Sequence, residues 1–274
     1  MINNDEQFMR EAIKEAEKAL ETGDSLDKLA LSSIYHHDML VLLNEMRKRP
    51  LGLTKTGRLQ RAEINKLGSL FTHDIYHRNE AGEIMFPIMT EDEVRHLLCL
   101  RSLAKIMHLS YHRKGKVHLS KNGLGFLENI SPGVQLTHLF LTFVYEFSWS
   151  YLHPGTSNRI DVSQVLQKNS LQIFRYLLEN GNVPVDVKVF SKNLGTYFDL
   201  LDPEEIKDEN GDSTWWVRLS IEYTLIRELE FFGIVSTDKI KKYRTSYEIT
   251  KFTVTDDGRL LLARIFETTW GYRV

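Results

Sequence analysis

The chain's 274 residues, 42% of them hydrophobic, are enough to bury one large core or two modest ones, which excludes a disordered chain or one that needs covalent staples. A single cysteine, Cys99, excludes an intramolecular disulfide and a multi-thiolate metal site, and a formal net charge of -2 excludes a surface tuned as a whole to nucleic acid. No basic-then-apolar leader is present, and the richest apolar run, His138 to Tyr145, falls far short of the roughly 20 residues of a membrane span, so a cytoplasmic setting without membrane contact is expected.

Taken in chain order, Asp5 to Thr22 carries Phe8, Ile13, Ala16 and Leu20 at helical spacing and ends at Gly23, which predicts an amphipathic N-terminal helix. After a linker at Asp24 to Asp27, a helix from about Ser33 to Arg47 places Tyr35, Met39, Leu42, Leu43 and Met46 on one side, and Pro50 stops it. A brief strand to Thr54, a turn at Gly57 and a helix marked by Ile64, Leu67 and Leu70 follow, then a loop from Asn79 to Pro87. Thr90 and Glu93 form a capping-box signature at the start of a long helix through Val94, Leu97, Arg101, Ala104 and Met107. Next come a strand over Leu109 to His112, a Lys114-Gly115 turn, a strand over Val117 to Leu119 and a helix entering past Gly123. The stretch 136–152 is apolar on nearly every face and reads as a buried helix joining two halves.

The halves look alike. Aligning "KVHLSKNGLGFL" with "KFTVTDDGRLLL" matches Lys116 to Lys251, Gly123 to Gly258 and Leu127 to Leu262, and the same spacing, about half the chain, carries Leu42 and Leu43 onto Leu177 and Leu178. The expected fold is therefore mainly α with small β-hairpins: an N-terminal arm over 1–30, one duplicated unit over 31–133, a connecting helix over 134–160 and the second unit over 161–274.

The segment from Leu229, "LEFFGIVSTDKIKKYRTSYEITKFTVTDDGRLLL", resembles the wing of multiple-antibiotic-resistance-type (MarR) winged-helix regulators, in which a helix ends Leu-x-x-x-Gly-Leu and Leu-Thr-x-x-Gly opens the next one after two strands. Ile234 replaces the Leu, while Val254, Thr255 and Gly258 fit; in the first half His108 takes the Gly place and Leu119, Ser120 and Gly123 close the pattern. "LGLTKTGRLQRAEI" also resembles a stretch of uncharacterised plasmid-borne bacterial proteins, which implies a mobile-element origin. In MarR-type regulators the helix before the wing enters the major groove and the wing meets phosphate, so the resemblance implies double-stranded DNA as partner.

The residue types suit the wings. Arg113, Lys114, Lys116 and Lys121 crowd the first beside His112, and Lys239, Lys241, Lys242, Arg244 and Lys251 outweigh Asp238 and Glu248 in the second. Such cations release counterions from phosphates, the source of most non-specific DNA affinity. The helices suit the role less, since Glu222, Glu228 and Glu230, and in the first half Glu91, Asp92 and Glu93, stand where a phosphate-lined groove would repel them. A winged-helix scaffold for protein partners, or a homodimer formed through the N-terminal helix, is the competing expectation.

For chemistry, His73 and His77 have the spacing of one helical turn with Asp74 beside them, and His36-His37-Asp38 evokes a metal-dependent phosphohydrolase, but neither group has further ligands at recognisable distances. "DENGDS", 208–213, lacks the spacing of a calcium loop and reads as a turn before a helix with Trp215 and Trp216. No phosphate loop, nucleophile elbow or Ser-His-Asp order occurs, so the expectation is a protein with no catalytic residues, no metal and no cofactor, and no enzyme.

Overall fold

The computed structural model describes residues 24–79, 81–152, 161–200, 215–243 and 246–270. The helix expected at Asp5 to Thr22 and the turn at 208–213 lie outside them. The chain divides into two compact units, 1–147 and 148–274, each mostly helical with one small antiparallel three-stranded sheet, an α+β architecture.

The first unit runs α1 (Asp24–Ser32), α2 (Ile34–Lys48), β1 (Leu51–Gly52), α3 (Arg61–Gly68), α4 (Arg95–Ile106), β2 (Ser110–Arg113), β3 (Lys116–Leu119), α5 (Lys121–Asn129) and α6 (Pro132–Tyr145). The linker expected at Asp24 to Asp27 is thus the first turn of α1. Ser33 separates α1 from α2 because its Oγ caps the second helix, accepting from His36 N at 3.2 Å. The stripe Tyr35, Met39, Leu42, Leu43 and Met46 is buried as its spacing requires. Beyond it, Glu63 of α3 binds the Arg49 guanidinium through both oxygens at 2.7 Å and accepts Gly52 N at 3.0 Å, which ties β1 and α3 to the end of α2.

The apolar stretch assigned from sequence to a connecting helix over 134–160 forms a helix only to Tyr145, and α6 belongs to the first unit, packed along α1 and against α2 and α4. Its excess of apolar faces is used there: Leu136, Leu139, Phe140, Leu141, Phe143 and Val144 are all buried. Gln135 of α6 accepts from His36 Nε2 of α2 at 2.7 Å and donates to the Phe126 carbonyl of α5, so one polar chain crosses three helices.

The second unit runs α7 (Val162–Lys168), α8 (Ser170–Asn180), β4 (Val185–Asp186), α9 (Val187–Tyr197), α10 (Trp215–Ile221), a π turn (Glu222–Ile226), α11 (Arg227–Phe231), β5 (Val235–Tyr243), β6 (Ser246–Val254) and α12 (Asp256–Trp270). Of the aromatics read as core here, Phe232 is fully buried, whereas Trp215, Trp216, Tyr223 and Phe231 are half-buried.

Strand order is β1-β3-β2 in one sheet and β4-β6-β5 in the other. Leu51 and Gly52 pair with Val117 and Lys116, and Val185 and Asp186 with Phe252 and Lys251. Each hairpin begins and closes the same way. His108 (φ 55°) and Gly233 (φ 78°) end the preceding helices in the left-handed region. Ser120 Oγ then donates to His108 O at 2.6 Å and accepts Gly123 N at 2.9 Å, while Thr255 Oγ1 donates to Gly233 O at 2.9 Å and accepts Gly258 N at 2.9 Å.

A left-handed φ costs a residue with a side chain about 1–2 kcal/mol, which glycine avoids at the price of some unfolded-state entropy. His108→Gly is therefore expected to stabilise the first unit by about 1 kcal/mol, measured as a higher urea midpoint with unchanged slope.

Candidate nucleic-acid interface

The first hairpin turns through Lys114 (φ 50°) and Gly115 (φ 68°), both left-handed, the two-residue type I′ geometry that matches strand twist. Register sets Ser110 against Leu119, Tyr111 against His118, His112 against Val117 and Arg113 against Lys116. Because side chains alternate, Val117 points inward and is buried, which puts Tyr111, Arg113, Lys116 and His118 together on the outer face. Arg113, Lys114, Lys116 and Lys121 are exposed, and none of them forms an ion pair among the described residues. On the opposite face His112 Nε2 lies 3.4 Å from Arg101 Nη2. Partial burial, and then the positive charges of Arg101 and Lys105, hold the His112 imidazole below its ordinary pKa.

The second hairpin differs in its electrostatics. Lys239 Nζ sits 2.8 Å from Glu230, which also accepts from Thr237 Oγ1 at 2.5 Å, and Lys251 lies directly across from Asp238. Arg218 pairs with Glu248 of the hairpin itself. Lys241 is exposed; nothing of the Lys242 side chain is described, and Arg244 lies outside the described residues.

The acidic residues expected to repel a groove are occupied within the fold. Glu222 and Glu228 are buried, and Glu222 is bound by Arg227 at 2.7 Å while that guanidinium stacks on Tyr223. Glu91, fully buried, accepts Leu59 N at 2.6 Å and pairs with Arg101; Asp92 pairs with Arg58 at 2.7 Å. Glu93 accepts Thr90 N at 3.1 Å and Thr90 Oγ1 at 2.9 Å, the box expected from sequence, but on a single 3₁₀ turn (Glu91–Glu93) that precedes α4. Arg101 of α4 is therefore already neutralised.

The histidines whose spacing evokes metal ligands in the sequence are arranged differently in the fold. Residues 71–79 form no helix, so His73 and His77 do not share a helical face. Asp38, on α2, accepts Thr72 N at 2.7 Å, His73 N at 3.2 Å and His96 Nε2 at 2.8 Å, with His37 Nδ1 at 3.1 Å. Burial alone would raise its pKa, yet the hydrogen bonds from His96, Thr72 N and His37 together bring it below its ordinary value. The His96 ring stacks on Tyr35 at 5.0 Å and meets His73 at 4.8 Å. No group of three or more His, Cys, Asp and Glu able to hold a metal ion occurs among the described residues. Nor is any helix among them long and apolar enough to cross a membrane. Sequence reading missed this buried knot; its one signal is that Asp38 and His96 interrupt otherwise apolar helix stripes.

The sequence of the first unit has a counterpart among known families. Residues 30–132 match the model of the Y4jL N-terminal domain. The match begins at the end of α1 and stops at the first residue of α6, so it takes in the basic hairpin and its closing helix. This domain is similar to the first unit and comes from a plasmid-associated family of uncharacterised activity, which agrees with the plasmid-borne likeness of "LGLTKTGRLQRAEI" and adds nothing to the MarR likeness of the wings. No curated protein and no solved structure matches the chain.

Proposed function

We propose that the protein is a DNA-binding protein of two winged-helix units derived from an internal duplication, a regulator or accessory factor of a mobile element that acts by binding and not by catalysis. The two units support the repeat through their equal strand orders, their matched registers at Lys116 and Lys251 and their equivalent caps on Gly123 and Gly258. A helix, a short strand and two further helical segments ahead of a hairpin whose second strand pairs with the short one is the topology on which the winged-helix reading rests.

The observation that carries the DNA reading is the set of four exposed cations on and beside the first hairpin, Arg113, Lys114, Lys116 and Lys121, none with an ion-pair partner among the described residues. Phosphates would be their first available counter-charges, and binding would release condensed ions. Sequence readout by α4 is not part of the proposal, because Arg101 is committed to Glu91.

Fluorescence anisotropy of a labelled mixed-sequence duplex, titrated at several salt concentrations, tests this. Affinity is expected to fall steeply with salt, with a log–log slope of about -0.9 per phosphate neutralised. Reversing Arg113, Lys114 and Lys116 to Glu should cut low-salt affinity by about 100-fold and flatten the slope, whereas reversing Lys239 and Lys251 should do much less. Undetectable binding at low salt overturns the proposal and favours an interaction scaffold of the same fold. That second reading has one observation of its own, a groove of about 840 Å³ between α8 and α12 lined by Leu171, Leu178, Leu260, Ala263 and Phe266.

A further inference from the structure

The outer face of the first hairpin carries more than charge. Tyr111 is 45% exposed, and its ring stacks on His118 at 5.2 Å with 15° between the planes. Strand β2 is the sheet edge in the order β1-β3-β2, so the ring's second face has no strand beside it. On the same face, about 7 Å further along the strand, stand Arg113 and its cross-strand partner Lys116. The hairpin that presents them is stiffened by its two-residue turn and held by Leu53 N donating to Gly115 O at 2.9 Å.

The fold does not call for an aromatic pair there. The same register position of the second hairpin holds Ser236 against Thr253, two small hydroxyl residues, and that hairpin closes with the same caps. An exposed tyrosine backed by a second ring, with two cations side by side further along the same face and no ion pair to either among the described residues, has the make-up of a surface that stacks a base and holds the phosphates next to it.

Building on the nucleic-acid reading above, we propose that Tyr111 is a stacking platform for an unpaired nucleobase, with Arg113 and Lys116 taking phosphates on the turn side of it, so that the first hairpin prefers single-stranded DNA or an opened duplex to an unbroken one. Bases inside a duplex present their faces to each other and cannot reach the ring; an unpaired base can.

The test uses the full-length protein and anisotropy of a labelled oligodeoxythymidylate and of a hairpin-closed duplex of similar length, in the same buffer. The single strand is expected to bind more tightly. Tyr111→Ala should lower the ratio of single-strand to duplex affinity by about tenfold, the scale of one lost base stack, and Tyr111→Phe should restore it. Arg113→Gln with Lys116→Gln should weaken both substrates and reduce the salt slope by about 2. Thermal melts check that each variant is folded, which the exposure of all three side chains favours. An affinity ratio unmoved by Tyr111→Ala, while the charge variants still weaken binding, overturns the platform and leaves the DNA reading standing. Binding absent for both substrates overturns both.

Discussion

Asp38→Ala is expected to remove about 3–5 kcal/mol from the stability of the first unit, the range found when one partner of a buried charged network is deleted. Asp38 has no exposed surface, and its two oxygens are the acceptors for Thr72 N, His73 N and His96 Nε2. Without them, two part-buried backbone N–H groups and a buried imidazole lose their bonds, and the imidazole above all carries its desolvation cost. The consequence reaches the site: these bonds fasten the chain after α3 to α2 and α4, and α4 leads directly into the basic hairpin. Asp38→Asn keeps one acceptor but turns an NH₂ toward donors, so it should fall between wild type and Ala. Urea unfolding followed by circular dichroism measures the series. The pH dependence follows from the direction of the shift. The Asp38 carboxyl titrates below its ordinary 3.8, so its contribution is complete above that pH and is lost as pH falls through the lower, folded-state value. His36 acts earlier: burial holds it below 6.5 despite its bond to Gln135, so the unfolded chain takes up that proton more readily and stability declines as pH falls from 6.5 toward the lower, folded-state value. A stability loss near Asp38→Ala of under 1 kcal/mol would remove the network from any account of how the hairpin is held.

Local pattern made much of this fold legible and long-range polar pairing made the rest illegible. The stripe from Tyr35 to Met46, the helix start near Ser33, the Lys114-Gly115 turn and the glycines at 123 and 258 act within a few residues of where they are read, so spacing alone exposes them. The start of α4 shows the limit. Thr90 and Glu93 do form their box, but Glu91 turns inward to bind Leu59 N and Arg101, residues that no periodicity links to it, and the backbone takes a 3₁₀ turn to deliver it. Likewise the apolar run from 136 continues past the end of α6 because both Glu146 N and Phe147 N return to Thr142 O, at 3.0 and 2.9 Å, closing the helix while the hydrophobic residues go on. At the site, composition counts the cations of both hairpins but cannot weigh them. Lys239 has the same charge as Lys116, and only the fold reveals that Glu230 stands beside one and that, among the described residues, no carboxylate pairs with the other. The Tyr111–His118 stack was hidden for the same reason: two residues on either side of a turn become one surface only when the register is known.

Gly258→Ala tests the joint that the two units have in common. A Cβ built at Gly258 would sit 2.3 Å from the Ile234 carbonyl oxygen and 2.7 and 2.8 Å from its Cα and carbonyl carbon, all of them backbone atoms that cannot rotate away. Ile234 is where the chain leaves α11 for the hairpin, and its carbonyl accepts Thr255 N at 2.9 Å, so the glycine is the point at which hairpin, closing helix and preceding helix touch. Relief requires moving α12 off that carbonyl, which breaks the Thr255 cap or opens the apolar contacts of Leu261 and Leu262, both fully buried. Overpacking of a rigid site costs about 1–3 kcal/mol, and with backbone as the obstacle the expected loss is near 3 kcal/mol. At Gly123 the corresponding Cβ meets Leu109 O at 2.3 Å, but its next neighbour is the Leu119 Cδ1 at 2.6 Å, the mobile end of a side chain. Gly123→Ala should therefore cost less than Gly258→Ala, though still at least 1 kcal/mol by the same measure, roughly the floor for such clashes. Hydrogen exchange separates the two: each substitution should speed exchange at amides of its own hairpin, β5–β6 in one case and β2–β3 in the other. If alanine is tolerated at both positions without loss, the shared closure is not a structural requirement, and the strongest local support for a duplicated winged helix is gone.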